Sequence, residues 1–286
     1  MEVGIGLPAA IPETDGAAIV EWARRAEAAG FSSLGVIDRL VFANYDPLIA
    51  LAGAAAVTPR IRLITAVLLI PYRNTAVLAK QVASLDRLSG GRLVLGIGIG
   101  GRPDDFEASR TELRGRGRRA ADQLQELRDT WAGQRRGFAG GIGPEPARKG
   151  GPVLLGGGGS DPAIARAVRF CDGWIAGGGG PPSFIQGAEK VRPAWRDAGR
   201  VGQPRLMALS YFGLGTKGAA DTEDYLRHYY GFAGERAEQV AKSALSTPER
   251  IRESIARYAE AGCDELILFP GSNDPSQVDE LASVVR

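Results

Sequence analysis

The chain has one histidine, two cysteines and five lysines in 286 residues. Each scarcity removes a class of function. Metal-dependent hydrolases gather several histidines and carboxylates as ligands, and His228 alone cannot supply such a set, so no metal site is expected. Schiff-base aldolases need a lysine at a strand end, and Lys80, Lys149, Lys190, Lys217 and Lys242 all fall elsewhere. Magnesium-dependent enolase chemistry needs successive strand-end carboxylates, and only Asp38 stands at such a position. Cys171 and Cys263 lack CxxC spacing, and a chain of this length needs no disulfide staple, so buried thiols in a reducing cytoplasm are expected. There is no run of about 20 uninterrupted apolar residues, and residues 1–7 lack the basic, apolar, small order of a leader. A membrane span is therefore not expected. The net charge of +2 comes from 35 basic and 33 acidic residues spread along the chain, which speaks against nucleic-acid or membrane-surface partners and for small molecules.

What is present is apolar and glycine-rich. Hydrophobic residues make up 44% and charged residues 24%, enough apolar material for one large core, so residues 1–286 are read as a single domain. Short apolar runs recur at 3–7, 33–37, 61–70, 92–97, 152–155, 173–176, 205–213 and 265–269. They are continuous rather than alternating, as in parallel strands covered on both faces. Helix-length segments lie at 15–29, 46–57, 75–88, 111–132, 161–171, 182–198, 248–261 and 275–285. Eight strands alternating with helices predict an α/β fold of the (β/α)8 TIM-barrel type. The first helix has both end signals, Asp15 as N-cap and Gly30 as terminator. The helix–glycine–strand join at 25–37 is echoed at 257–269, which supports a repeated unit. Segments 133–151 and 214–247 exceed a minimal barrel and are expected as rim insertions. The second contains Tyr225, His228, Tyr229, Tyr230 and Phe232, too apolar to stand in water, so it lines the site or packs against another subunit.

Barrel enzymes work at the C-terminal ends of their strands. Here those ends offer Pro8, Asp38, Arg39, Tyr72, Gly98, Gly156, Gly157, Gly158, Gly159, Ser160, Gly177, Gly178, Gly179 and Tyr211. Acid–base groups are few and glycines many, so the chemistry is expected to come from a cofactor. Glycine lets backbone N–H groups approach a phosphate, and a helix N-terminus favours negative charge. The glycine runs 156–159 and 177–180 each follow a strand and precede a helix, which makes them candidate phosphate-cradling loops or simple flexible turns. Residues 96–101 also match the GxGxxG dinucleotide fingerprint, but a Rossmann loop opens directly into a helix, and here 102–106 intervenes.

The stretch 38–107 resembles the bacterial luciferase-like family of FMN-dependent monooxygenases and F420-dependent oxidoreductases. The resemblance is carried by Asp46-Pro47, Thr58-Pro59-Arg60-Ile61-Arg62-Leu63, Thr65-Ala66-Val67, Leu78-Ala79-Lys80-Gln81, Leu85-Asp86-Arg87-Leu88-Ser89-Gly90-Gly91-Arg92 and Leu95-Gly96-Ile97-Gly98. The C-terminal half matches more loosely through 152–157 and 171–175. The resemblance implies a flavin or deazaflavin ring across the barrel mouth above Ala66 and Val67, where the family often has a bulge with a non-prolyl cis peptide. It also implies a phosphate tail near the fifth and sixth strand ends, and a homodimer. Asp38 looks like the strand-end acid of F420-binding members, so F420 is preferred and FMN is the alternative; an ion pair with Arg39 is the plainer reading of Asp38. Family members acting on sugar phosphates have Asp-His at the second strand end and Glu after the glycine turn. Asp38-Arg39 and Gly101 stand there instead, which speaks against that activity. Pro8, Arg39, Tyr72, Tyr211 and His228 are expected to line the substrate pocket, with no catalytic acid or base assigned. A non-catalytic flavin-binding barrel is a further alternative.

Overall fold

Parallel strands whose two faces are both apolar must be covered on both sides, and a sheet closed on itself with an outer ring of helices does this. The computed structural model describes the chain from Met1 to Arg286 apart from the side chain of Arg236. Its strands are β1 (Glu2–Gly6), β2 (Ser33–Val36), β3 (Arg62–Leu69), β4 (Leu93–Gly98), β5 (Val153–Gly157), β6 (Gly173–Ala176), β7 (Arg205–Phe212) and β8 (Glu265–Pro270). All neighbours are parallel, and β8 returns to pair with β1, closing the barrel. Around it run α1 (Gly16–Ala29), α2 (Pro47–Val57), α3 (Thr75–Leu88), α4 (Pro103–Ala108), α5 (Arg116–Trp131), α6 (Asp161–Phe170), α7 (Gly180–Asp197), α8 (Gly215–Tyr229), α9 (Glu235–Lys242), α10 (Pro248–Glu260) and α11 (Ser276–Val285). Among the described residues, no helix is long and apolar enough to cross a membrane.

Helix starts follow side-chain chemistry. Asp15, Asp46, Asn74 and Thr247 each accept a hydrogen bond from a first-turn backbone N–H of α1, α2, α3 and α10. The core has two shells set by the strand period of two. Leu154, Trp174, Leu206 and Leu268 face the helices, while Leu155, Ile175, Met207 and Phe269 fill the barrel interior. Phe269 fits because two strands facing it have glycine. A Cβ at Gly6 would lie 2.3 Å from its ring and one at Gly35 2.8 Å.

The N-terminal end is sealed by a buried carboxylate. Glu265 accepts from Ser32 Oγ, Ser33 Oγ, Arg62 Nη2 and Arg205 Nη2 at 2.5–3.0 Å. The side chains thus bind β2, β3, β7 and β8 into one polar plug.

Two of the expected elements are organised differently. The segment 111–132 starts its helix only at Arg116, because Gly115 adopts φ +76°, and 103–108 forms α4. The long segment 214–247 folds into α8 and α9, with a 3-10 turn at Gly231–Ala233 between them. Its two ends meet on β7, where Gly213 N–H donates to the Leu245 carbonyl and Leu245 N–H to the Tyr211 carbonyl. Because it follows β7, it stands at the barrel mouth. The segment 133–151 joins α5 to β5 and so belongs to the opposite rim, where it covers α3 through Ala147 N–H to Asp86 Oδ2 at 2.8 Å.

Candidate active site

At the mouth, β3 is irregular. Its pairing with β4 shifts register between Thr65 and Leu68, and the Ala66–Val67 peptide is cis. The bulge turns the Val67 side chain toward β4 and β5, which is why those strands have glycine there: a Cβ at Gly98 would lie 2.5 Å from Val67 Cγ2, and one at Gly157 3.2 Å from Val67 Cγ1.

Above the bulge lies a cleft with two lobes that share Ala66, Val67, Gly177, Gly178, Leu209, Tyr230 and Phe232. The first, of about 460 Å³, is walled by Gly157, Gly158 and Gly159 after β5 and by Gly177, Gly178 and Gly179 after β6. These loops lead into α6 and α7, so both helix N-termini point toward this end of the cleft. Gly158 has φ +104°, a conformation that side-chain-bearing residues rarely adopt, and the Trp174 indole holds its carbonyl at 2.9 Å. A Cβ at Gly159 or Gly177 would meet no protein atom within 4 Å. The lobe therefore has the open backbone cradle and the positive helix ends that a phosphate needs, with Ser183 in the first turns of α7 on the same wall. The residues present fit a phosphate-bearing flavin or deazaflavin.

The second lobe, of about 300 Å³, lies toward β2 and the β4–α4 loop. Asp38 borders it, but its side chain is fully buried. Its carboxylate accepts from Leu69 N–H at 2.9 Å, from Tyr72 Oη at 3.2 Å and from Arg73. Burial pushes the carboxyl above its ordinary range, while the Arg73 guanidinium and the Leu69 N–H pull it back. The simple ion pair with Arg39 is not formed. Arg39 bonds Asp105 Oδ2 and Asp104 Oδ2, each at 2.9 Å, because it leaves β2 on the side facing α4. The other Asp105 oxygen accepts from Leu40 and Val41 N–H, fixing the loop after β2.

Aromatic residues from the mouth insertion close the lobe. Tyr211 Oη lies 2.8 Å from Tyr230 Oη, and burial raises the Tyr211 phenol well above its usual range, so it is a neutral hydrogen-bonding group. A Cβ at Gly178 would lie 3.0 Å from the Tyr211 ring, so this tyrosine packs directly on the β6 loop. Arg102 lies over the rings of Tyr229 and Phe232, 4.6 and 3.9 Å from their centroids.

Of the residues expected at the site, the fold gathers Asp38, Arg39, Ala66, Val67, Gly157, Gly158, Gly159, Gly177, Gly178, Gly179 and Tyr211 around one cleft. The others stand back from its walls. Gly98 makes room for Val67, and Gly156 for Ala167, whose Cβ would be 2.4 Å from an added methyl. Ser160 caps α6 with its carbonyl, Pro8 is buried in a 3-10 turn, and Tyr72 supports Asp38 from beneath. His228 is exposed on α8 with its ring 5.4 Å from that of Phe42. Sequence reasoning passed over Arg73, Arg102, Asp105, Ser183 and Leu209. The aromatic segment 225–232 was a visible signal for Tyr229, Tyr230 and Phe232, and it lines the cleft.

A family model described as luciferase-like monooxygenase matches residues 1–262. An uncharacterised protein of Mycobacterium tuberculosis is 30% identical over 239 residues, covering 74% of this chain and 83% of its own length. An F420-dependent glucose-6-phosphate dehydrogenase of Rhodococcus erythropolis is 26% identical, covering 98% of this chain and 95% of its own. Among solved structures, the monooxygenase RslO1 from Streptomyces bottropensis superposes with a TM-score of 0.78 at 21% identity, covering 100% of this chain and 98% of its own, a likeness of fold.

Proposed function

Because the chain belongs to the luciferase-like monooxygenase family, we propose that it moves a hydride between the deazaflavin F420 and a small organic substrate. One observation carries the reading: a continuous cleft runs from two glycine loops at helix N-termini, over the cis Ala66–Val67 bulge, to a separate lobe beside Asp38. The backbone N–H groups of Gly157, Gly158, Gly159, Gly177, Gly178 and Gly179 would hold the phosphate, with the helix ends of α6 and α7 behind them. Ala66 and Val67 form the floor for the ring, and Leu209 and Ile175 the apolar wall. The cofactor supplies hydride chemistry that no side chain here can perform. The protein's share is orientation and the exclusion of water by Tyr230 and Phe232.

Two features favour F420 over FMN: the strand-end acid Asp38, and the F420 dependence named for the Rhodococcus relative. The substituted positions Arg39 and Gly101 favour a substrate other than a sugar phosphate. The reading is of a cytoplasmic homodimer, on the family resemblance, with small-molecule partners and no nucleic-acid or membrane partner.

The test is titration of the purified protein with F420 and with FMN, followed by cofactor fluorescence, and then turnover with an oxidisable substrate panel. Saturable F420 binding with turnover is expected. Tight FMN binding with indifference to F420 would replace the cofactor and favour a reduced-FMN monooxygenase. Cofactor binding without turnover on any substrate would favour a non-catalytic flavin-binding barrel.

A further inference from the structure

The second lobe is bordered by four charged side chains, Asp38, Arg39, Arg102 and Asp105. Three have fixed partners of opposite sign. Asp38 is paired with Arg73, and Arg39 with Asp105, each at 2.9 Å. Arg102 is different. Among the described residues it has no carboxylate oxygen within the 4.0 Å of an ion pair, and its hydrogen bond is a single one, from Nη2 to the Tyr229 carbonyl at 3.0 Å. The rings of Tyr229 and Phe232 hold the guanidinium in place, so its orientation is set before any ligand arrives. A fixed cation without a counter-charge, beside walls of low dielectric, attracts an anion more strongly than the same group in water. The remaining walls are apolar or aromatic, formed by Ile37, Leu69, Leu209, Tyr211 and Tyr230.

We propose that Arg102 is the specificity residue of this lobe, and that the substrate is a carboxylic acid with an apolar body. The carboxylate meets the Arg102 guanidinium, whose planar fork suits it, and the body lies against the tyrosine wall. One uncompensated cation matches a monoanion, whereas a phosphate monoester would bring a second charge with no partner. The inference rests on the proposed function in one respect: that reading assigns the glycine-walled lobe to the cofactor and leaves this one to the substrate.

Calorimetric titration with cinnamate, cinnamamide, hexanoate and hexanamide tests it, on the whole protein with and without F420. Each acid is expected to bind at least about tenfold more tightly than its amide, the worth of one hydrogen bond to a charged group. Arg102→Gln is expected to abolish that ratio by weakening the acids alone, and Arg102→Lys, which keeps charge without the fork, to retain part of it. Circular dichroism shows whether Arg102→Gln is folded; if it is not, the acid–amide ratio in wild type and in Arg102→Lys decides. Equal binding of acid and amide, no binding of either, or a ratio that survives in Arg102→Gln would overturn the proposal. Failure to bind F420 or FMN counts against the proposed function, whereas the acid–amide ratio of the cofactor-free protein bears on Arg102 alone.

Discussion

A single nitrogen of Arg73, Nη2, reaches both carboxylate oxygens of Asp38, at 3.0 and 2.9 Å. The same carboxylate accepts from Leu69 N–H and Tyr72 Oη, so the end of β2 is tied to the end of β3 next to the bulge. The arrangement makes Asp38 a structural tie between the two strand ends.

Removing the cation from this pair leaves a buried anion with the Leu69 N–H and Tyr72 Oη hydrogen bonds but no counter-charge. Arg73→Met is expected to lower stability by about 3–5 kcal/mol, while the double variant Arg73→Met, Asp38→Asn recovers part of the loss. Urea denaturation of the two proteins measures both numbers. Asp38→Asn alone, which keeps an acceptor for Leu69, is expected to fold with a smaller loss.

At the other end of the barrel, Glu265 gathers two serines and two arginines. Its replacement by Ala strands those arginines together, with Glu2 as their remaining acidic partner. A loss of about 3–5 kcal/mol in urea denaturation is expected. Cofactor affinity of the folded fraction should stay within about twofold of wild type, because the plug touches neither lobe of the cleft.

Burial pushes the thiols of Cys171 and Cys263 up to about 12, from 9.0 in a free thiol. The folded protein therefore retains protons that the unfolded chain releases. This contribution is complete below pH 9 and declines as the pH rises toward 12. Neither thiol should react with an alkylating reagent at neutral pH, and both should react in denaturant, as counted by intact mass.

Two glycines separate folding from binding. A Cβ at Gly96 would lie 2.1 Å from the Thr65 carbonyl oxygen, a backbone atom that cannot swing aside, so Gly96→Ala should destabilise the β3–β4 pair by about 1–3 kcal/mol or more. At Gly177 an added methyl meets nothing and enters the cleft, so Gly177→Ala should fold within about 0.5 kcal/mol of wild type yet bind cofactor more weakly. Thermal melts and fluorescence titration of the two variants read the difference.

The barrel was legible because its evidence is local. Each apolar run, N-cap and glycine terminator is decided within a few residues, and the strand at Gly173–Ala176 is read to the residue. The glycine loops were legible for the same reason, as was the bulge at Ala66–Val67 through its family words. What escaped were relationships across the chain. Nothing near Asp38 points to Arg73, and nothing in 102–106 announces that Asp105 will take Arg39 and fix the loop after β2. Gly98 and Gly156 look like their neighbours in sequence. Only the packing of Val67 and Ala167 shows that they serve the frame.

The two ends of the mouth insertion are held together on β7, Gly213 to Leu245 at 3.1 Å and Leu245 to Tyr211 at 2.9 Å. Seen from the barrel, that segment is a cassette plugged into a socket of fixed width. A descendant or a designer could exchange the lid for one of another shape, leaving the glycine loops and the bulge in place while changing the wall that Tyr230 and Phe232 give to both lobes. New substrates would thus be reached by swapping a module, with the rest of the molecule conserved as its holder.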